Sequence, residues 1–291
     1  MMTIIAPAKL NLFLHITGRR KDGYHLLESL FVFAHFGDEI TLTPSDTLQL
    51  SVTGPFAHTL THESPDNNLV LRAAVMLKKL ADVSHNVHIT LSKQIPVAAG
   101  LGGGSSDAAS VLIGLNRLWQ LNLEVERLCE MGLILGADVP ACIRQTAALI
   151  SGIGEIHHPM QLPHSTLYVL LVNPNTPLST QTVFKQFRDH HAAFTQSIDH
   201  PLRWENWPDC FTYLKTQHND LEQPAIAHIP VIQEIIYLLQ AQAGCLLARM
   251  SGSGPTCFGL FETKEAVQLA AKTLRLVMPT AWVQQSTLLT S

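Results

Sequence analysis

The feature that most constrains the fold of this chain is a glycine-rich stretch at residues 96–107, which reads PVAAGLGGGSSD. Four glycines lie within five positions, and residues without a Cβ atom allow positive φ and a close approach of the backbone to a ligand. They are Gly100, Gly102, Gly103 and Gly104. The alternative interpretation is a plain turn between a strand and a helix, but such a turn seldom uses four glycines.

An amphipathic helix is predicted directly after these glycines. From Ala108 to Trp119, apolar residues recur at i, i+3, i+4 and i+7, which is the spacing of one helical face. Ser105, Ser106 and Asp107 precede this helix and are residue types that cap helix N-termini. A flexible loop that leads into the positive end of a helix is suited to bind an anion, because free N–H groups and the helix dipole both favour negative charge.

The stretch differs from two common nucleotide-binding motifs. No Gly-Lys-Ser or Gly-Lys-Thr follows the glycines, so it is not a Walker A loop. The glycines are also too closely spaced for the dinucleotide fingerprint, and no ribose-binding acid is evident after them. A phosphate site of another class is therefore predicted.

The composition is typical of a globular protein that can bury a large core. The 291 residues are 46% hydrophobic and 14% charged, and the net charge of −4 gives no reason to expect nucleic-acid binding. The chain has five cysteines without C-x-x-C spacing, which predicts reduced thiols in a cytoplasmic protein. Its N-terminus is unlike a signal peptide and it has no long apolar run, so no membrane contact is expected. The fifteen histidines form no recognisable metal-ligand pattern, so no metal ligand is named.

Hydrophobic patterning divides the chain into predicted strands and helices. Period-two alternation predicts strands within the first 52 residues, interpreted as an antiparallel meander, and another over 87–91. Helices are predicted from Leu69 to Leu80 and over 125–135, and a short one is predicted to begin after Asp138. The order of strands and a helix over 245–287 suggests a split βαβ sandwich. Because glycine and proline cluster at 152–164, a domain boundary is expected there.

Three separated motifs occur in the order found in the GHMP kinases. They are PAKLN at 7–11, the glycine-rich stretch, and MSGSGP at 250–255. The chain resembles this family, which includes galactokinase, homoserine kinase, mevalonate kinase and phosphomevalonate kinase, over nearly its whole length. Two further motifs, GYH at 23–25 and GADVP at 136–140, are similar to the branch that phosphorylates 4-diphosphocytidyl-2-C-methyl-D-erythritol.

The resemblance implies an α+β, two-domain GHMP kinase fold. The N-terminal, ATP-binding domain would span residues 1–160 and have a ribosomal-protein-type β-α-β fold. The C-terminal domain would span residues 161–291 and be a ferredoxin-like split βαβ domain. Another small-molecule kinase of the family, of the homoserine or mevalonate type, is an alternative, as is a catalytically silent member that binds nucleotide.

The activity that the resemblance implies is transfer of the ATP γ-phosphate to the tertiary 2-hydroxyl of the erythritol unit, in the non-mevalonate (methylerythritol phosphate) route to isoprenoids. A tertiary alcohol is a crowded and poorly acidic nucleophile, so it must be held in line and deprotonated as the new bond forms. By resemblance, Asp138 is the general base and Lys9 the cation beside it. Taken alone, Asp138 could equally be a helix N-cap and Lys9 a surface lysine.

The resemblance also assigns binding residues. Those expected to bind ATP are Asn68, Lys93, Pro96, Val97, Ala98, Ala99, Gly100, Leu101, Gly102, Gly103, Gly104, Ser105 and Ser106. Those expected to bind the cytidyl substrate are Asn11, Tyr24, His25, Thr180, Phe184, Gly252, Ser253 and Gly254. Tyr24 would stack on the cytosine while His25 bonds its edge.

ATP and Mg²⁺ are the implied cofactors, although no acidic ligand for the metal can be named beyond Asp138. The expected partner is the small-molecule substrate, with no nucleic acid and no membrane. The chain is expected to be a monomer or a weak homodimer.

Overall fold

The computed structural model describes residues 1–60, 67–189, 193–198 and 203–289. The chain forms two compact units that alternate along the sequence. The first unit contains Met1–Lys9, Phe36–Val97 and Gly102–Gln145. The second contains Leu10–His35, Ala98–Leu101 and the described residues from Thr146 onward. Two long strands, β1 (Met2–Arg19) and β2 (His25–Ser45), contribute residues to both.

In its described residues, the first unit is a short sheet with four α-helices. Its further strands are β3 (Gln49–Thr53) and β4 (Asn86–Ser92), and its helices are α1 (Leu69–Leu80), α2 (Gly103–Leu118), α3 (Val125–Leu135) and α4 (Val139–Arg144). β4 pairs antiparallel with residues 39–45 of β2 and parallel with β3. Helix α2 packs against α1, α3 and α4, and its apolar face is buried, as the helical spacing predicted.

The second unit contains a four-stranded antiparallel sheet. Outside that sheet, the unit contains strands β5 (Ala148–Ser151) and β6 (Ile156–Pro159), which pair with each other, and β5 also pairs with residues 29–31 of β2. The four-stranded sheet is formed by β7 (Tyr168–Asn173), β8 (Cys245–Met250), β9 (Cys257–Phe261) and β10 (Trp282–Thr287), in the order β10-β7-β9-β8. This order, with helices α8 (Val231–Gln240) and α9 (Lys264–Val277) packed on the sheet, confirms the predicted split βαβ arrangement.

Five helices complete the part of the second unit that the structure describes. They are α5 (Thr180–Asp189), α6 (Trp207–Thr216), α7 (Glu222–His228), α8 (Val231–Gln240) and α9 (Lys264–Val277). Buried side chains of β7, α8 and α9, among them Leu170, Ile235 and Leu274, form its core. None of the described helices combines the length and apolar character needed to cross a bilayer.

Two predictions about local structure can be judged directly. Helix α1 begins as predicted, because the Asn68 side chain accepts a hydrogen bond from the backbone of Val70 at 3.0 Å. The antiparallel meander is wrong for β3, which pairs parallel with β4. Strands β5 and β6 lie partly in the stretch that was expected to be a boundary, and the division at residue 160 stays a prediction.

The predicted capping of α2 by serine or aspartate is wrong. The N-cap is Gly102, whose φ of 63° is left-handed, and no side chain caps the helix. Ser106 and Asp107 instead lie inside the first turns and are buried. Their polar groups are directed to other partners, since the Ser106 hydroxyl donates to the Pro7 carbonyl at 2.8 Å.

Candidate active site

Lys9 and Asp138 lie together in the first unit. The Lys9 Nζ is 3.5 Å from the Asp138 Oδ2, with the lysine side chain buried and the aspartate side chain 35% exposed. Asp138 occupies the N-cap position of α4 but makes no capping hydrogen bond. Its carboxylate lies beside the Lys9 ammonium group instead. Asp138 therefore has the N-cap position that the sequence predicted, but its side chain does not cap the helix.

A glycine of the glycine-rich loop (residues 96–106) lies against the same lysine. A Cβ atom at Gly102 would be 3.1 Å from the Lys9 Cε, closer than ordinary van der Waals contact. Because Gly102 has a left-handed φ as well, both sterics and backbone conformation favour glycine here. The start of α2 is thereby placed beside the Lys9–Asp138 pair.

A buried charged cluster lies below the first turn of α2. The Lys93 Nζ donates to the Asp38 Oδ2 at 2.5 Å and to the Asp107 Oδ2 at 2.8 Å, and all three side chains are buried. The other oxygen of Asp38 accepts from the backbone N–H groups of Gln94 and Ile95 at 2.5 and 2.8 Å. Burial raises the pKa of Asp107 to about 7, against the opposing effect of Lys93.

The second unit contains a hydrogen-bond network centred on Ser251. The Ser251 hydroxyl donates to the Gly100 carbonyl at 2.9 Å and accepts from the Asn11 backbone N–H at 3.2 Å. The Asn11 side chain in turn donates to the Ser29 hydroxyl at 2.8 Å. Two expected site residues, Asn11 and Gly100, are thus held by one serine.

The turn at residues 251–254 packs tightly against this part of the loop. A Cβ atom at Gly100 would lie 2.3 Å from the Ser251 carbonyl oxygen, and one at Gly252 would lie 2.9 Å from the Gly100 carbonyl oxygen. Both glycines have positive φ, of 73° and 57°. Side chains at either position are therefore excluded by distance and by conformation.

Asn219 supports the same turn and was not singled out from the sequence. Its side-chain amide donates to the Met250 and Gly252 carbonyls at 2.9 and 2.8 Å, and its oxygen accepts from the Leu221 N–H. Arg249, also buried, donates to the carbonyls of Leu12, Leu214 and Gln217. An Asn-Asp pair ahead of α7 is a local cap signal that could have drawn attention to Asn219.

An aromatic group surrounds His25 in the second unit. The His25 ring lies 5.2 Å from that of Phe184, tilted by 32°, and 5.9 Å from that of Phe187 in an edge-on arrangement. Tyr24 is 62% exposed, as an aromatic that stacks on a ligand would be in the free protein. Burial, and then the charges of Arg19 and Arg188, lower the pKa of His25, which favours a neutral imidazole able to donate and to accept.

The remaining predicted site residues fall on both units. Thr180, the first residue of α5, shares a hydrogen bond of 2.9 Å with the Ser253 hydroxyl. Gly254, in the 251–254 turn, donates its backbone N–H to the Ser251 carbonyl at 2.9 Å. Asn68 is buried as the cap of α1, and Lys93 is buried in its ion pairs. The other loop residues divide by exposure: Pro96, Ala99, Leu101 and Ser106 are buried, whereas Val97, Ala98, Gly103, Gly104 and Ser105 are at least partly exposed.

The comparisons with known proteins agree along the whole chain. Residues 68–146 match the family of GHMP kinases N terminal domains, and residues 212–280 match the GHMP kinases C terminal family. A 4-diphosphocytidyl-2-C-methyl-D-erythritol kinase of Cereibacter sphaeroides is 45% identical over 286 residues, which cover 97% of this chain and 98% of that protein. The chain belongs to the GHMP kinase family.

Solved structures support the same assignment. The crystal structure of a 4-(cytidine 5'-diphospho)-2C-methyl-D-erythritol kinase superposes with a TM-score of 0.78 and 34% identity, covering 99% of both chains. A homoserine kinase from Cytophaga hutchinsonii superposes with a TM-score of 0.71, covering 100% of this chain and 95% of its own, but is only 17% identical and so shares the fold alone. This GHMP kinase is therefore an enzyme that uses ATP and acts on a small molecule.

Proposed function

We propose that this GHMP kinase transfers the γ-phosphate of ATP to the 2-hydroxyl of 4-diphosphocytidyl-2-C-methyl-D-erythritol, yielding the 2-phosphate and ADP. The identity of 45% to a kinase named for this substrate, over nearly the full length of both chains, supports the choice of acceptor. The reaction is a step of the non-mevalonate (methylerythritol phosphate) route to isoprenoids.

The observation that carries the chemistry is the Lys9–Asp138 pair. A carboxylate that is partly exposed, makes no cap bond and lies 3.5 Å from an ammonium group is available to an incoming hydroxyl. Asp138 would accept the proton of the 2-hydroxyl as its oxygen attacks the γ-phosphorus, while the bond to the ADP oxygen breaks. Lys9 would donate a hydrogen bond to the same hydroxyl and offset the negative charge of the transferring group.

The glycine-rich loop would bind the phosphates of ATP. Helix α2 has sixteen residues, begins at the loop and has no side-chain cap, so its first backbone N–H groups are not satisfied by a cap. Free N–H groups at a helix N-terminus and the helix dipole both favour a phosphate. Gly102, whose φ is left-handed, lets the backbone of the loop turn directly into the helix at this point.

The cytidyl end of the substrate would be recognised by the aromatic group around His25. Tyr24 presents an exposed ring for stacking, and a neutral His25 matches a base edge that both donates and accepts. Thr180 and Ser253, which share a hydrogen bond, and the backbone of Gly252 and Gly254 would contact the diphosphate end.

Magnesium is proposed as an ion that arrives with ATP. Among the described residues, no group of three histidine, cysteine or acidic side chains could hold a metal by itself. Mg²⁺ commonly keeps several waters and binds through one or two carboxylates and the substrate phosphates, so the exposed Asp138 carboxylate fits such an ion. When bound beside Asp138, Mg²⁺ would supply positive charge that neutralises part of the negative charge of the phosphates.

The deciding experiment is ADP release by the purified chain with ATP and Mg²⁺. The cytidyl substrate, homoserine and mevalonate would be supplied in separate reactions. Turnover with the cytidyl substrate alone is expected, and turnover with either of the others would refute the proposed acceptor. ATP binding without turnover on any of them would point to the catalytically silent member.

The cytoplasmic location and the monomeric or weakly dimeric state stay predictions from the sequence.

A further inference from the structure

The cluster of Asp38, Lys93 and Asp107 connects both chain segments that flank the glycine-rich loop in the first unit. Lys93, Gln94 and Ile95 lead into the loop, and Asp107 belongs to the helix that leaves it. Asp38, from β2, holds the first segment by accepting two backbone N–H groups and the Lys93 ammonium. The Lys93 ammonium group also donates to the Asp107 Oδ2 at 2.8 Å, which joins the helix to the same cluster.

The cluster also lies directly against the helix start. A Cβ atom at Gly103, the first residue of α2, would be 3.1 Å from the Lys93 Nζ and 3.5 Å from the Asp38 Oδ2. The ammonium group is therefore packed under the backbone that provides the first N–H groups of the helix. A shift of Lys93 would shift that backbone.

Burial argues against a direct contact between Lys93 and the nucleotide. The side chains of Lys93 and Asp107 are 3% exposed, and that of Asp38 is fully buried. The Lys93 ammonium group donates to two buried carboxylates, so its positive charge is already paired within the protein. Buried charges of this kind are held by their partners, and removal of one partner leaves an uncompensated charge.

We propose that Asp38, Lys93 and Asp107 are positioning residues that hold the start of α2 and the segment entering the loop in the arrangement that binds ATP phosphates. This role rests on the proposed function, since it assumes that the loop binds ATP. It assigns Lys93 to the support of the site, whereas the resemblance had implied that Lys93 binds ATP directly.

The test is the affinity for ATP, measured calorimetrically on the full chain with ATP and Mg²⁺ and without the second substrate. Lys93→Met removes the charge at similar volume, and Asp107→Leu removes the acceptor while it keeps the branching of the side chain; each should weaken ATP binding about tenfold or more. Asp107→Asn keeps one oxygen that can accept from Lys93, and its amide nitrogen can replace the other Asp107 oxygen, which has no hydrogen-bond partner among the described residues. Asp107→Asn should therefore weaken ATP binding less than Asp107→Leu does.

Leu77→Ala is the matched control. Leu77 is fully buried in α1 and lies about two turns from Leu69, whose side chain would be 3.7 Å from a Cβ atom at Gly104, so this variant should lower the melting temperature while Asp38, Lys93 and Asp107 stay intact. Its ATP affinity should stay close to that of the wild type. If Asp107→Leu does not fold, the comparison rests on Asp107→Asn and on Asp38→Asn, which loses an acceptor that Asp38 uses and should therefore be the weaker binder.

The outcomes separate this proposal from the proposed function. Weak ATP binding in the cluster variants, beyond that of Leu77→Ala at equal loss of melting temperature, supports the positioning role. Unchanged affinity in folded variants, or affinity that follows melting temperature in all variants alike, would overturn it while leaving the function intact. A wild-type chain that fails to bind ATP would overturn both, whereas a wild-type chain that binds ATP but ignores the cytidyl substrate would overturn the acceptor alone.

Discussion

Replacing Asp138 by asparagine removes the proposed base while keeping the size of the side chain. The structure gives little reason to expect a loss of stability, because Asp138 makes no capping bond and its ion pair with Lys9 is 3.5 Å long and partly exposed. Such pairs contribute less than about 1 kcal/mol, so the melting temperature should change little.

The effect on turnover should be much larger. A positioned general base contributes about 10²–10⁴-fold, equivalent to about 3–5 kcal/mol of barrier height, so Asp138→Asn should lower kcat by that factor. ATP affinity, measured without Mg²⁺ so that any contact of Asp138 with the ion does not enter, should remain within about threefold of the wild type, because the first turn of α2 and its supports are unchanged.

The assay is coupled ADP release at saturating ATP and cytidyl substrate, with ATP affinity measured separately by calorimetry. Glu126→Gln is the matched control, since Glu126 is an acid of the same unit whose ion pair with Arg144 is also exposed. A fall in kcat of less than tenfold, or a parallel loss of ATP affinity, would refute the assignment of Asp138 as the base.

Three further predictions follow from the geometry. Gly100→Ala would place a methyl group 2.3 Å from a backbone oxygen and should therefore weaken ATP binding and lower the melting temperature. Gly104→Ala is the control and should be tolerated, because the nearest neighbour of its methyl group would be 3.7 Å away. Equal effects of the two substitutions would contradict this prediction. Phe184→Ala should raise the KM for the cytidyl substrate about tenfold with the KM for ATP unchanged, in steady-state kinetics, because it removes a ring beside His25. Burial lowers the pKa of His15 from 6.5 to about 4, so as the pH falls the unfolded chain takes up a proton on this group before the folded chain does. Through this group, the free energy of unfolding should fall by about 3 kcal/mol from pH 7 to pH 4. Urea titrations should show a shallower fall for His15→Phe, and an unchanged fall would refute the contribution.

The parts of the fold that depend on neighbouring residues were predictable. Helix α1 starts where Asn68 can cap it, as local rules require, and α3 ends at Leu135 before Gly136, although Gly136 has an extended φ of 174° instead of the left-handed φ of a glycine cap. The pairing of β3 was not predictable in this way, because a parallel partner is chosen by contacts far along the chain. A period-two pattern indicates a strand and does not say which strand lies beside it.

The site shows the same division. Lys9 and Asp138 could be named from their motifs, and the structure brings them together. Asp38 carries no motif, and its importance appears only when β2 places it under α2 beside Lys93. The capping role expected for Asp107 failed for a related reason, since a buried lysine offered its side chain a stronger partner than the helix N-terminus.

The burial of the charged cluster has a consequence for how the enzyme responds to ionic strength. Dissolved ions screen charges that face water, with a Debye length of about 8 Å at physiological salt, but screen buried pairs much less. The ion pairs of Lys93 are therefore insulated from the medium, whereas the carboxylate of Asp138 is not. The scaffold of the loop can keep one shape across environments of different salinity while the reacting carboxylate remains sensitive to the ions around it.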